Sequence, residues 1–314
     1  MLQVTVNRLA GWIAPANIWV ITGARYVALV REQCPQLPAG RVIGEPMPRD
    51  TAAAIALGAA LVRAQNPQGI MVVLSADHVI RDVAGFRATI SRGIDWARRD
   101  EFVTIGIRPT YPAEIYGYLQ RGAALDEHGA HVLRSFVEKP SRTRAEAFLP
   151  TGEYFWNAGM FVWKAAQLLE EMKKHLPEHA DMACKIASLI GPGSWPEEAV
   201  DLFAGLKKIS IDFGLMEKLA RIVMLEARFD WNDAGGWLAL EDILGRDAQG
   251  NVLRGMNVVH DVRNNIIITQ NDRRPTLVSG VQDCIIVNAD AGTLVCHRSE
   301  IERIRGLVQQ IIAG

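Results

Sequence analysis

The chain has 314 residues, 49% of them hydrophobic and 22% charged, which is enough to bury one large core and a smaller second one. Lys plus Arg number 34 against 35 Asp plus Glu, so net charge argues against a nucleic-acid backbone or a membrane surface as partner and leaves a small-molecule ligand. Cys34, Cys184, Cys284 and Cys296 lack C-x-x-C spacing, which argues against structural zinc and a secreted disulfide framework, and no apolar run is long enough to span a bilayer, so a reducing cytoplasm is expected.

Residues 4–12 (VTVNRLAGW) read as a helix leading into a strand at 18–22, with no glycine-rich strand–loop–helix phosphate cradle ahead of it. Further short β-branched runs at 41–44, 70–75 and 102–107 read as strands. Between them, 24–33, 51–65 and 83–99 carry apolar residues at helical spacing, with Thr51 and Asp82 placed as N-caps. This alternation predicts an α/β domain with a mostly parallel sheet covered by helices. A strand ending near Phe136 and Val137, and helices over 164–175, 196–204 and 212–220, extend it. From Asn251 onward the pattern changes to short strands at 252–260, 265–269, 276–279, 284–288 and 293–297, before a closing helix near 299–312. The expected domains are therefore 1–250 and 251–314. A sheet lacking a central strand leaves edges that another chain can cover, so a homodimer is one expected arrangement.

Several segments carry residues suited to chemistry. The strand at 70–75 ends in Asp77 and His78, where a carboxylate can hold a hard cation against phosphate oxygens; the same Asp would also serve as a turn former. In 229–237 (FDWNDAGGW), Asp233 precedes two glycines that permit close backbone approach, though Asn-Asp and Gly-Gly also make ordinary turns. Glu138 and Lys139 stand at a strand end stopped by Pro140, a carboxylate for hydroxyls beside a cation for phosphate, or else a solvated charge pair. Asn157 and Gly159 in WNAGMF offer a donor, an acceptor and close approach. Arg49, Asp50 and Thr51 open an alanine-rich helix whose first turn favours an anion or a base edge.

In order, the segments EPMPRDTAAAIAL, VVLSADHVI, FVEKP, WNAGMF with SIDFGLMEK, and FDWNDAGGW resemble the mannose-1-phosphate guanylyltransferases over most of residues 1–240. The resemblance implies a Rossmann-like nucleotide-diphospho-sugar transferase fold with a small, β-helix-like C-terminal domain. It also implies conversion of GTP and mannose 1-phosphate to GDP-mannose and pyrophosphate. By motif, Asp77 and Asp233 would hold Mg²⁺, Glu138 and Asn157 would bind the hexose, and Arg49, Asp50 and Thr51 would lie on the guanine side. Lys218 would lie near the sugar phosphate as a third catalytic group. Tyr116 and Gly117 match part of the family's Gly-Tyr-Gly-Tyr sugar loop. The sequence departs from the family in starting downstream of the glycine-rich loop with its arginine and following lysine, in carrying Ile115 where the family has glycine, and in carrying Asp50 for asparagine. Two other readings stay open: an inactive sugar-nucleotide-binding or regulatory protein, and a transferase for another hexose 1-phosphate or nucleotide.

Overall fold

Helix α1 (Leu2–Arg8) precedes β1 (Val20–Gly23), α2 (Val27–Gln33) and β2 (Val42–Glu45) in a computed structural model that describes residues 1–189, 195–235, 237, 239–271, 273–301 and 304. β1 and β2 pair in parallel, Val20 opposite Val42 and Gly23 opposite Glu45. Gly44 allows the preceding turn to close on β2, since a Cβ there would stand 2.6 Å from Val27 Cγ2 and 2.8 Å from Ala24 Cα.

Helix α3 (Asp50–Gln65) buries Ala52, Ala53, Ala56, Ala59 and Ala60, whose small side chains let neighbouring elements approach closely. Thr51 is not its cap. Arg49 precedes the first turn, Asp50 takes φ +67° and its Oδ1 accepts the Thr51 N–H at 2.8 Å. The Thr51 hydroxyl instead accepts the Ile211 N–H. Asp82 does cap α4 (Val83–Ala97), accepting the Gly85 N–H.

The main sheet contains β3 (Ile70–Val73), β4 (Val103–Ile107), β5 (Tyr118–Ala124), β6 (Ala130–Val137), β7 (Tyr154–Lys164) and β8 (Val223–Glu226), in the order β3-β7-β4-β8-β6-β5. The α/β class stands, but the expectation of a mostly parallel sheet is corrected: β4–β8 is its parallel pair, and its other pairings are antiparallel. β3, β4, β5 and β8 run one way and β6 and β7 the other: the chain reverses in the turn between β5 and β6, and α5 (Arg142–Phe148) carries it from β6 to β7 in the same direction, where β7 lies among strands that all oppose it. β7 lies between β3 and β4, and its register against β4 shifts between Thr104 and Gly106, where Gly159 takes φ +63°. The ladder resumes after the shift with Asn157 opposite Gly106.

Helices α6 (Ala165–His175), α7 (Pro177–Leu189), α8 (Glu197–Ala204) and α9 (Ile211–Gly214) complete this unit. The expected helix over 212–220 is the single turn of α9 followed by a 3-10 turn at Met216–Lys218, broken at Leu215 with φ −134°. The core gathers Phe161, Trp163, Leu168, Leu169 and Met172 beneath α3.

Close contacts divide the chain into one unit of Met1–Ala76 with Ile80–Asp230, and another of Asp77–Val79 with Trp231–Gly314. In the second, α10 (Ala239–Leu244) precedes β9 (Val252–Arg254), β10 (Asn257–His260), β11 (Ile266–Thr269), β12 (Thr276–Ser279), β13 (Cys284–Ala289) and β14 (Gly292–His297). β9, β11 and β13 stack in parallel with Val252, Ile266 and Ile285 in register, β10 pairs with β12 in parallel, and β14 is antiparallel to β13. Asn251 and Asn265 form a buried amide ladder across this stack. A 3-10 turn at Arg298–Glu300 follows, and the expected closing helix near 299–312 lies mostly outside the described residues. Among the described residues no helix is long and apolar enough to cross a membrane.

Candidate active site

In the first unit, β5, β6 and β7 bring three expected residues together. The Asn157 N–H donates to Gly117 O at 2.8 Å. A Cβ added to Gly117 would stand 2.6 Å from Glu138 Oε2 and 3.0 Å from Phe136 Cζ, so glycine leaves the Glu138 carboxylate where it is, and Asn157 Cβ lies 3.5 Å from the same point. Glu138 pairs with Lys139 Nζ at 3.1 Å, and Lys139 itself takes φ +42° and is exposed. Behind them, Asn157 Nδ2 donates to Asp212 Oδ1 at 2.9 Å, while Asn157 Oδ1 accepts from Thr104 Oγ1 and the Gly159 N–H, each at 3.2 Å. Burial, reinforced by nearby Glu138, pushes Asp212 up to about 6, against the pull of its hydrogen bonds and Lys139. The rings of Tyr111 and Tyr116 flank Trp156 at 4.8 and 5.1 Å.

Sequence reasoning missed Asp212, although SIDFGLMEK contains it, because Lys218 is the more conspicuous charge in that segment. Lys218 ends the 3-10 turn, is exposed, and makes no ion pair among the described residues.

The start of α3 is engaged differently from the expectation of a free anion cradle. Arg49 donates from Nη2 to Ala204 O and from Nε to Phe203 O at 3.4 Å, satisfying the last carbonyls of α8. Thr51 Oγ1 accepts the Ile211 N–H at 2.8 Å, and Asp50 remains exposed. Just upstream, Glu45 was also missed. Its Oε1 is buried with no hydrogen-bond partner among the described residues, and desolvation pushes its carboxyl up to about 7. The only sequence signal was its place at the head of EPMPRD.

In the second unit, Val79 and Asn232 form an antiparallel bridge with both hydrogen bonds made, at 2.8 and 3.0 Å. In that antiparallel register Asp77, two residues before Val79, and Asp233, one residue after Asn232, lie toward the same end of the bridge, despite their distance in sequence. Asp77 is exposed; Asp233 is half-buried and accepts the Gly235 N–H at 3.1 Å. His78 is buried with its ring edge-on to Trp231 at 5.3 Å, a packing role. In the first unit, Asp230 accepts the Arg81 and Asp82 N–H groups and shapes the turn. Two accessible carboxylates are the hard oxygen donors that suit Mg²⁺, which keeps several of its waters. Among the described residues no group of three or more His, Cys, Asp or Glu side chains forms a closed metal cage.

Three non-glycine residues with positive φ, Asp50, Lys139 and Ala234, fall inside these motifs. Such conformations cost about 1–3 kcal/mol each and persist where the surrounding structure holds them, commonly at ligand sites.

An α/β unit whose strand ends carry these groups, followed by a parallel-stranded β-unit, is the nucleotide-diphospho-sugar transferase fold. A profile of the nucleotidyl transferase family matches residues 1–250, and the chain belongs to that family. It is similar to the mannose-1-phosphate guanylyltransferase of Escherichia coli (strain K12), at 34% identity over 100% of this chain and 66% of that protein. The corresponding protein of Klebsiella pneumoniae is 36% identical over 98% of this chain and 66% of its own length. The chain therefore spans about two thirds of the length of these curated relatives. A crystal structure described as mannose-1-phosphate geranyltransferase from Thermus thermophilus matches with a TM-score of 0.84 and 29% identity, over 99% of this chain and 88% of that one. Mannose-6-phosphate isomerase from Helicobacter pylori, at TM-score 0.62 and 24% identity over 74% of this chain and 89% of that one, shares the fold.

Proposed function

We propose that the protein transfers the guanylyl group of GTP to mannose 1-phosphate, forming GDP-mannose and pyrophosphate in the cytoplasm with Mg²⁺. The observation that carries this reading is the Glu138–Asn157 pair seated over Gly117, a donor–acceptor set suited to sugar hydroxyls. The relatives named above support the choice of mannose and guanine. Asp77 and Asp233 would hold the cation, which when bound neutralises charge gathering on the phosphate oxygens.

The sugar-phosphate oxygen attacks the α-phosphorus of GTP as pyrophosphate departs. It is already an anion at neutral pH, so no general base is required, and the protein's contribution is alignment and charge stabilisation. Glu138 and Asn157 orient the hexose. Lys218 and Lys139, both exposed cations, meet the sugar phosphate. Asp50 and Thr51 lie toward the base, while Arg49 acts indirectly by holding α8.

Pyrophosphate release by the 314-residue chain with GTP, mannose 1-phosphate and Mg²⁺ tests the reading. Turnover abolished by Asp77→Ala and by Asp233→Ala is the expected result. Folded protein that binds GDP-mannose without turnover would favour a binding protein, and exclusive use of another sugar phosphate would replace mannose.

A further inference from the structure

The buried side of the hexose cluster contains a carboxylate that the transfer reaction leaves unassigned. We propose that Asp212 is a positioning residue for the hexose, fixing Asn157 so that its amide meets the sugar as a hydrogen-bond donor; this rests on the sugar-nucleotide reading of the same site.

An asparagine side chain presents oxygen or nitrogen according to what its other atoms bond. Asn157 Oδ1 accepts from the Gly159 N–H and from Thr104 Oγ1, whose one proton also faces Met160 O at 3.4 Å, and one Nδ2 hydrogen goes to Asp212. The other Nδ2 hydrogen is left for a ligand. Beside it, Glu138 keeps an oxygen that Lys139 does not engage, so the cluster offers one donor and one acceptor together. A hydroxyl both accepts and donates, and a hexose carries several.

Asp212 itself is held from two sides. Ser210 Oγ caps α9 by accepting the Phe213 N–H at 3.3 Å, and the Ile211 N–H is tied to Thr51. Without the Asp212 oxygen, Thr104 could turn its hydroxyl to accept from a flipped amide, and the Gly159 N–H alone would oppose the flip. The Asp212 carboxyl, pushed up to about 6 chiefly by burial, agrees with a group kept in a poorly solvated place for a specific partner.

The test compares KM for mannose 1-phosphate, KM for GTP and kcat in wild type, Asp212→Ala and Asp212→Asn at about pH 7.5, with thermal melting to show folding. In Asp212→Ala the sugar-phosphate KM rises roughly tenfold while the GTP KM stays within about twofold, as expected when one buried hydrogen bond is lost. Asp212→Asn keeps an oxygen for Nδ2, and its sugar-phosphate KM rises only about two- to fourfold. The Asn variant preserves shape, so it carries the test if the Ala variant does not fold. An unchanged sugar-phosphate KM in both variants, or an equal rise in both KM values, overturns the proposal. If the wild type binds without turnover, calorimetric Kd values for GDP-mannose and GTP give the same comparison. A folded wild type that neither binds nor turns over removes the sugar-nucleotide reading itself, a failure visible before any variant is made.

Discussion

Thr51 and Ile211, 160 residues apart, are joined by a 2.8 Å hydrogen bond from the Ile211 N–H to the Thr51 hydroxyl. The bond ties the first turn of α3 to the short helix that carries Asp212. Ile211 is only 1% exposed, so water cannot replace the lost acceptor. Thr51→Val should therefore lower stability by about 1–3 kcal/mol, the cost of a buried unsatisfied N–H. It should also raise the sugar-phosphate KM, because the α9 turn loses its anchor. Denaturant melts and steady-state kinetics on one preparation check both effects.

Gly117→Ala should disable the proposed hexose side while leaving the fold intact. The added methyl would come within 2.6 Å of Glu138 Oε2 and 3.0 Å of Phe136 Cζ, and the flexible carboxylate is the atom that yields. A displacement of that size is expected to cost roughly a hundredfold in kcat/KM for the sugar phosphate. Circular dichroism unchanged from wild type would confirm that the effect is local.

Glu45 makes stability depend on pH. Its folded-state carboxyl is raised to about 7 by burial, above the ordinary value of 4.5, so the folded protein holds that proton more tightly than the unfolded chain. The stabilisation from the bound proton is fully present below the unfolded value and is lost as pH rises through about 7. Glu45→Gln should accordingly melt higher than wild type at about pH 8 and show little advantage at about pH 4. Melting temperatures of the pair across roughly pH 4–8 give the check, and a difference independent of pH would contradict the assignment.

In the second unit, Asn265 is fully buried and serves three partners. Its Oδ1 accepts the Cys284 N–H at 2.8 Å, and its Nδ2 donates to Val281 O at 3.0 Å and Asn251 Oδ1 at 3.3 Å. Asn265→Ala should destabilise this unit by roughly 2–4 kcal/mol through several unsatisfied groups. Hydrogen exchange should quicken in β11 and β13 while β4 keeps its protection.

The parts of the fold legible in the sequence are those set by local pattern. The apolar run VTIGI marks β4, alternating turns and β-branched runs mark the later strands, and Asp82 marks its own helix start. Sheet direction was not legible, because β5 and β7 depend on which distant strand each joins. Helix α7 was missed because Pro177, His179 and Asp181 interrupt its apolar spacing. The site shows the same division. Glu138, Asn157 and Gly117 stand in recognisable motifs, whereas Asp212 acquires its importance from Asn157, 55 residues away. Arg49 looked available for an anion until α8 folded against it. The neighbourhood of Asp77 and Asp233 depends on the single bridge between Val79 and Asn232.

That bridge also sets an order of assembly. About 150 residues lie between Val79 and Asn232, and closing a loop of that length costs entropy before the two hydrogen bonds return anything. The intervening strands and helices must shorten the path first, so the bridge belongs to the late steps of folding. A nascent or partly refolded chain can then bury much of its apolar core while Asp77 and Asp233, the two carboxylates proposed to hold Mg²⁺, are still apart. On the proposed cation role such a chain would have structure without cation affinity, and recovery of Mg²⁺ binding should lag recovery of tryptophan burial in refolding.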